Sequence, residues 1–189
     1  MTSFSHLQLF VIDYQVTPVN FSSEVRIESE HQGNVRNYCN PNDPRVAGES
    51  FQHLIPDHGT VVNGASYLVT NTATSGLQVC TGVKNTISAD EVQTGEIVLE
   101  GHHAVQKFTV SAKQGEAIRF VKYMVFADSI RYEDVQEAAQ DEMEAVTAVP
   151  WMCFTKSREN TWTNSGRALR WKLMVMTPFV QRFAIMLTS

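Results

Sequence analysis

The sequence lacks a long apolar run, a signal segment and an excess of positive charge. No stretch of about 18 apolar residues occurs in the 189 residues, which excludes a membrane-spanning helix. The first residues lack the basic and apolar regions of a secretion signal. The net charge of −5 argues against nucleic acid as the main partner. We therefore expect a protein without membrane or nucleic-acid partners.

The sequence also has few cysteines and none of the common catalytic motifs. Cys39, Cys80 and Cys153 form no C-x-x-C pair, so structural zinc is not expected and a reducing cytoplasm is the simpler environment. No P-loop, G-x-S-x-G or G-x-G-x-x-G motif occurs after a strand. His102 and His103 are adjacent, and neighbours on a strand point to opposite faces, which makes them poor joint metal ligands. We expect no metal, no cofactor and no identifiable catalytic residue.

What is present is the pattern of a β-sandwich. The length and the 43% of apolar residues are those of one ordinary globular domain. Short apolar or alternating segments are separated by turn residues, which is typical of antiparallel strands. The predicted strands cover residues 7–16, 23–29, 60–70, 77–84, 104–110 and 118–127. The first of them is apolar enough to be covered on both faces, and residues 85–95 are predicted as a turn.

The pattern changes to that of helices after the last predicted strand. Residues 131–148 carry apolar side chains at helical spacing, with Ser129 as the predicted N-cap and Pro150 as the stop. Further helices are predicted over about residues 154–163 and over residues 179–187. The fold class is therefore mainly β, an antiparallel β-sandwich followed by C-terminal linker helices.

The charge is unevenly distributed along the chain. All 20 acidic residues lie within the first 159 positions, whose net charge is −9. The last 30 residues carry four basic side chains and no acid, a net charge of +4, and four of the seven Met lie beyond Pro150. The chain therefore changes character near residue 160.

Several short motifs resemble those of one enzyme family. Residues 30–37, EHQGNVRN, are similar to a D/E-x-x-G-x-V-x-N turn that follows a strand. Residues 14–22, YQVTPVNFS, are similar to a Y-x-V-T-P-L-x-F-S/D segment, and residues 72–77, TATSGL, to a T-x-x-S-G-L hairpin. In this order, the motifs resemble the N-terminal domain of glycoside hydrolase family 65, which includes maltose, trehalose and kojibiose phosphorylases.

The resemblance implies a two-part enzyme of which this chain carries one part. In the family, a large sandwich and helical linkers precede an (α/α)₆ barrel that holds the catalytic glutamic acid and the phosphate-binding groups. We therefore expect residues 1–128 to be a partial sandwich truncated at its start and residues 129–164 to be a helical linker. Residues 165–189 are expected to be an atypical stretch and the start of a missing barrel.

The resemblance also implies an activity for the intact enzyme. It is the inverting transfer of a glucosyl group from an α-glucosyl disaccharide to inorganic phosphate, which gives a glucose 1-phosphate and a free sugar. The family further implies a homodimer with a disaccharide substrate and inorganic phosphate as co-substrate. No catalytic residue matches a position here, so this chain alone is expected to be inactive.

The basic stretch near the C-terminus has a possible origin in the reading frame. In the family, an acidic strand of the type W-x-x-S-D-V-E-I-x-G-D follows the linker helix. A one-base shift permits residues 165–177, SGRALRWKLMVMT, to be read as WESAEVEIDGDD, which resembles that strand. We therefore expect that this stretch is translated out of frame and that the frame is restored near Pro178.

A second hypothesis is a stand-alone sandwich that binds carbohydrate or mediates dimer contacts without catalysis. Sugars are held by exposed aromatic rings and by carboxylates and amides. The loop over residues 33–48 supplies such groups: Tyr38, Asn40, Asn42, Asp43 and Arg45. The alternative for this loop is a rigid turn-rich segment, because Asn, Asp and Pro are turn residues first.

Overall fold

Two antiparallel sheets contain all the strands of the part of the chain that is described. The structure is a computed structural model that describes residues 6–46 and 49–149 and the backbone of residues 183–187. The elements are β1 (Leu9–Val16), β2 (Ser23–Gln32), β3 (Leu54–Val62), β4 (Ala65–Thr72), β5 (Gln78–Ser88), β6 (Val92–Glu100), β7 (His103–Ala112), β8 (Ile118–Asp128), α1 (Val135–Thr147) and β9 (Phe183–Leu187).

The two sheets form a β-sandwich, which confirms the predicted fold class. One sheet has the strand order β1-β8-β5-β4-β3 and the other has the order β6-β7-β2-β9. Every strand pairing among the described residues is antiparallel. Strand β1 is an edge strand, and Tyr14 in its second half is 42% exposed. The prediction that both faces of residues 7–16 are covered is therefore wrong for the end of this strand.

The interior strand β8 is mostly apolar on both faces because each face packs against a different layer. Side chains alternate across a strand, so Phe120 lies against the second sheet while Tyr123 and Val125 lie on the opposite face. Helix α1 covers that opposite face through Val135, Ala139, Met143 and Val146. The described residues therefore form two apolar clusters, one between the sheets and one under the helix.

Helix α1 begins later than the sequence predicts. Asp134 is the N-cap, and its carboxylate accepts hydrogen bonds of 2.9 Å from the N–H groups of Gln136 and Glu137. Such bonds satisfy two of the N–H groups that a helix start leaves unpaired. The prediction of Ser129 as the cap is wrong, because the Ser129 hydroxyl accepts a 2.9 Å hydrogen bond from the N–H of Gln78 instead.

Residues 60–70 form a hairpin rather than the predicted single strand. Asn63 and Gly64 have φ angles of 51° and 71°, and β3 ends just before them while β4 starts just after. An Asn-Gly pair with two positive φ angles is the two-residue turn whose twist matches antiparallel strands. The Asn-Gly pair was therefore the signal that the strand prediction overlooked.

Two other predictions also differ from the structure. Strand β5 extends to Ser88 and β6 begins at Val92, so most of the predicted turn over residues 85–95 is strand. Phe183–Leu187 is strand β9, paired with β2, where the sequence predicts a helix over residues 179–187. A short apolar run is compatible with either element, and the open edge of β2 selects the strand. The predicted helix over residues 154–163 and the stretch over residues 165–177 lie outside the described residues.

Candidate functional site

The loop between β2 and β3 carries the five residues predicted to contact sugar. Its ends are tied together, since the N–H of Asn37 donates to the carbonyl of Phe51 at 3.1 Å. Asp43 and Arg45 form a two-point ion pair, with Nε and Nη2 of Arg45 each 2.9 Å from a carboxylate oxygen. This pair lowers the pKa of the Asp43 carboxyl and raises the pKa of the Arg45 guanidinium. Their charges are therefore already matched within the loop.

The remaining loop candidates divide into turn residues and one exposed ring. The side-chain oxygen of Asn40 accepts a 3.1 Å hydrogen bond from the N–H of Asn42, which is the contact of an Asx turn. The Tyr38 ring is 74% exposed. The loop thus places all five residues in one surface segment, but only the side chains of Tyr38 and Asn42 are exposed without a hydrogen bond that defines the turn. This arrangement favours the rigid-loop alternative.

The space between the sheets is apolar at one end and polar at the other. The apolar end contains Phe108, which meets Phe120 edge to face with ring centroids 5.5 Å apart. The polar residues that are buried in the described chain are Ser29, His31, Ser66, Thr70, Thr81, Gln106 and Lys122. Buried polar side chains are stable only when they find hydrogen-bond partners. The side chains at this polar end are therefore expected to be hydrogen bonded to one another or to the main chain.

His31 links the two sheets through both of its ring nitrogens. Nδ1 lies 2.9 Å from the Ser66 hydroxyl on β4, and Nε2 lies 2.8 Å from the Thr81 hydroxyl on β5. Burial, and to a smaller extent the charge of Lys122, lowers the pKa of His31 to about 3. The imidazole is therefore neutral at physiological pH. One of its ring nitrogens carries a proton, and each ring nitrogen contacts one hydroxyl.

Lys122 is the second buried titratable group at this end. Its side chain lies on β8, is 2% exposed, and donates a 2.7 Å hydrogen bond from Nζ to the main-chain carbonyl of Glu30 on β2. Burial lowers the pKa of Lys122 to about 8, although the Glu30 carboxylate acts in the opposite direction. An ammonium group is thus held in the interior by a carbonyl of the other sheet.

A third connection between the sheets consists of uncharged groups. The Ser29 hydroxyl on β2 donates to the Asn85 side-chain oxygen on β5 at 3.0 Å. The Asn85 amide donates to Gln106 on β7 at 2.9 Å, and the Gln106 amide donates to the carbonyl of Gly95 at 3.3 Å. The chain of bonds crosses from one sheet to the other and back, so it fixes their relative position.

The adjacent histidines have separate structural contacts. His102 lies in the turn before β7, and its Nε2 donates a 2.7 Å hydrogen bond to the carbonyl of Val69 on the other sheet. His103 begins β7, and its Nε2 lies 3.5 Å from a carboxylate oxygen of Glu30. Gly33 packs on the His102 ring so closely that a Cβ would lie 2.8 Å from Cδ2. The described residues contain no group of three or more side chains suited to hold a metal ion.

The polar end of the space between the sheets was not predicted from the sequence. Lys122 interrupts an apolar strand in the segment F-V-K-Y-M over residues 120–124, which is a signal for a buried charge. His31 was noted only as part of a turn motif, although the polar residues Ser29 and His31 alternate with exposed or half-buried ones on β2. These signals mark a polar interior but do not identify its partners.

In the described part of the chain, the remaining titratable groups do not converge on an enclosed site. An open groove of about 490 Å³ along α1 carries the carboxylates of Glu133, Asp134, Glu137, Asp141 and Glu142. Asp134 is the helix cap, and Glu142 accepts a 2.9 Å hydrogen bond from His6. The buried thiol of Cys80 has its pKa raised to about 12 by burial and is therefore not a nucleophile.

Comparisons with known proteins agree with the resemblance. The model described as glycosyl hydrolase family 65, N-terminal domain, matches residues 1–165. An alpha,alpha-trehalose phosphorylase of Geobacillus stearothermophilus is 36% identical over 64 residues, which are 34% of this chain and 8% of that protein.

A solved structure has the same fold. A putative kojibiose phosphorylase from the human microbiome superposes with a TM-score of 0.66 at 8% identity, covering 86% of this chain and 20% of that chain. This chain therefore spans one fifth or less of the length of both relatives. Among the described residues, none of the helical segments has the length and apolarity needed to cross a bilayer. With its family-model match and its two-sheet sandwich, the chain belongs to glycosyl hydrolase family 65, by way of the family's N-terminal domain.

Proposed function

We propose that this chain is the N-terminal sandwich of a phosphorylase or hydrolase that acts on α-linked glucosyl disaccharides. The observation that carries the proposal is the match of the family's N-terminal domain to residues 1–165. The two relatives are named as phosphorylases of trehalose and of kojibiose, and this favours phosphorolysis over hydrolysis. Inorganic phosphate is then the co-substrate.

The proposed reaction is an inverting displacement at the anomeric carbon. A carboxylic acid protonates the glycosidic oxygen as its bond to the anomeric carbon breaks, and a phosphate oxygen forms the new bond from the opposite face. An α-linked disaccharide then gives β-glucose 1-phosphate and a free sugar. Among the described residues, the buried ionisable side chains between the sheets, His31 and Lys122, are engaged in contacts from one sheet to the other. We therefore assign this chain a supporting role and place the acid in the remainder of the enzyme.

The test is to sequence the gene beyond both ends of this reading frame and to assay its longest product. That product is expected to release β-glucose 1-phosphate from maltose, trehalose or kojibiose only when phosphate is present. The 189-residue chain alone is expected to release none. Glucose release without phosphate would instead identify a hydrolase, and a longest product that cleaves none of the three disaccharides would overturn the proposal.

Carbohydrate binding by the sandwich itself is the second candidate function, and the exposed Tyr38 ring favours it. An aromatic face can stack on a sugar ring. If this occurs, Tyr38→Ala is expected to weaken disaccharide binding about tenfold, or about 1.4 kcal/mol. Titration calorimetry with trehalose and kojibiose measures this, with Tyr14→Ala as a control because Tyr14 lies on β1, outside the loop. A wild-type chain that binds neither sugar would exclude this function.

A further inference from the structure

The ring of His31 has a definite tautomer in the folded protein. The Thr81 hydroxyl already donates to the carbonyl of Leu68 at 3.4 Å, so it accepts the hydrogen bond from Nε2 of His31. The Ser66 hydroxyl must then donate to the unprotonated Nδ1. A second proton on the ring would make both nitrogens donors and would break the bond from Ser66 in its present direction.

The groups that face His31 make a second proton still more unfavourable. Lys122 approaches from β8, His102 from the turn before β7 and His103 from β7, and each of them lowers the pKa of His31 when charged. Ser66 on β4 and Thr81 on β5 are neutral. The nearby Glu30 carboxylate is directed to His103, at 3.5 Å, and also attracts Lys122. A charged His31 would therefore be a second cation next to a buried ammonium group.

We propose that His31 is an acid-sensitive lock between the two sheets, which release each other at their polar end when the ring takes up a second proton. The polar end is favoured as the point of opening because the opposite end is closed by the apolar contact of Phe108 with Phe120. The start of the loop that follows β2 stays with the sheet of β2 and β7, since the N–H of Gly33 donates to the carbonyl of His102 at 2.8 Å.

The direction of the pH dependence follows from linkage. The pKa of His31 is about 3 in the closed sandwich, against 6.5 for a free histidine. As the pH falls below 6.5, His31 binds a proton in the open chain but not in the closed chain, so acid favours opening. Between pH 7.5 and pH 5 the closed form is expected to lose about 30-fold in its equilibrium constant, which corresponds to about 2 kcal/mol. The loss continues until the pH reaches about 3.

Two measurements on the full chain test the lock. In an NMR titration, the ring signals of His31 are expected to stay fixed from pH 7.5 to pH 5. In urea unfolding, the equilibrium constant for folding of the wild type is expected to fall about 30-fold between pH 7.5 and pH 5. His31→Gln keeps a hydrogen-bond donor and an acceptor but cannot titrate. Its equilibrium constant for folding is therefore expected to fall about 30-fold less than that of the wild type over this pH range.

A matched control distinguishes the acid sensitivity of His31 from a purely structural role of its side chain. His58→Gln, at an exposed histidine, is expected to retain the full pH dependence of the wild type. Amide exchange corrected for its intrinsic pH dependence should lose protection first at Ser66 and Thr81, and later at Phe108. The proposal is overturned if His31 titrates near pH 6.5 in the folded chain, or if His31→Gln loses as much stability on acidification as the wild type.

Discussion

Phe108→Ala is expected to lower the free energy of unfolding by about 3–5 kcal/mol. Phe108 is 1% exposed on β7 and packs edge to face against Phe120 of the other sheet. Removing its ring leaves a cavity that both sheets line, because the strands on either side are held in register by their ladders. Equilibrium urea unfolding at pH 7.5 measures the loss.

The control for this prediction is Val98→Ala, at a side chain of β6 that is 56% exposed. Its removal is expected to change the free energy by less than about 0.5 kcal/mol, because little apolar area leaves the interior. A loss below about 1 kcal/mol for Phe108→Ala would show that the apolar end does not hold the sheets together. In that case the polar contacts would be the main connection between the sheets.

The strands that alternate or carry continuous apolar side chains could be predicted from sequence. The predictions for residues 23–29, 104–110 and 118–127 all fall within observed strands, because those strands bury one or both faces. Strand β6 was not predicted because it is an edge strand whose side chains are largely exposed. Neither an apolar run nor a clear alternation of apolar and polar residues marks it in the sequence. Edge strands carry less of the periodicity on which such predictions depend.

The helix start shows how tertiary contacts decide between two plausible caps. Ser129 and Asp134 are both good N-cap residues by type. The Ser129 hydroxyl is used at the start of β5, where it accepts from the N–H of Gln78, so the helix begins at the second candidate. Nothing local to residues 129–134 distinguishes these two outcomes.

The polar end of the interior could be predicted only in part. A lysine in the middle of an apolar strand indicates a buried charge, and Lys122 is such a residue. His31 and Ser66 are 35 positions apart, and His31 and Thr81 are 50 positions apart. Their contact depends on how two separate sheets stack, which no local pattern encodes. The residue types of the loop already suggested a turn-rich segment, but the specific contacts of Asn40 with the N–H of Asn42 and of Asp43 with Arg45 depend on the folded loop.

Lys122 carries its charge in the protein interior, and the burial of that charge lowers the stability of the folded chain. In the folded chain its pKa is about 8, below the ordinary value of 10.5. Below pH 8 both the folded and unfolded chains hold the proton, so this group gives no pH dependence there. Between pH 8 and pH 10.5 the folded chain releases the proton while the unfolded chain keeps it, and the folded state becomes more stable. The gain from pH 7.5 to pH 9.5 is expected to be about 2 kcal/mol.

Lys122→Met is expected to abolish this gain and to raise the free energy of unfolding at pH 7.5 by about 1–2 kcal/mol. An apolar side chain of similar length avoids the burial of an ammonium group, and replacing buried charges in this way is often neutral or stabilising. The loss of the hydrogen bond to the Glu30 carbonyl offsets part of the gain, by about 1 kcal/mol or more. Urea unfolding at pH 7.5 and pH 9.5 measures both effects, with Lys107→Met as the control at an exposed lysine of β7. If Lys122→Met is destabilised at pH 7.5 and still gains stability at pH 9.5, the ammonium group of Lys122 is not the buried charge that the geometry indicates.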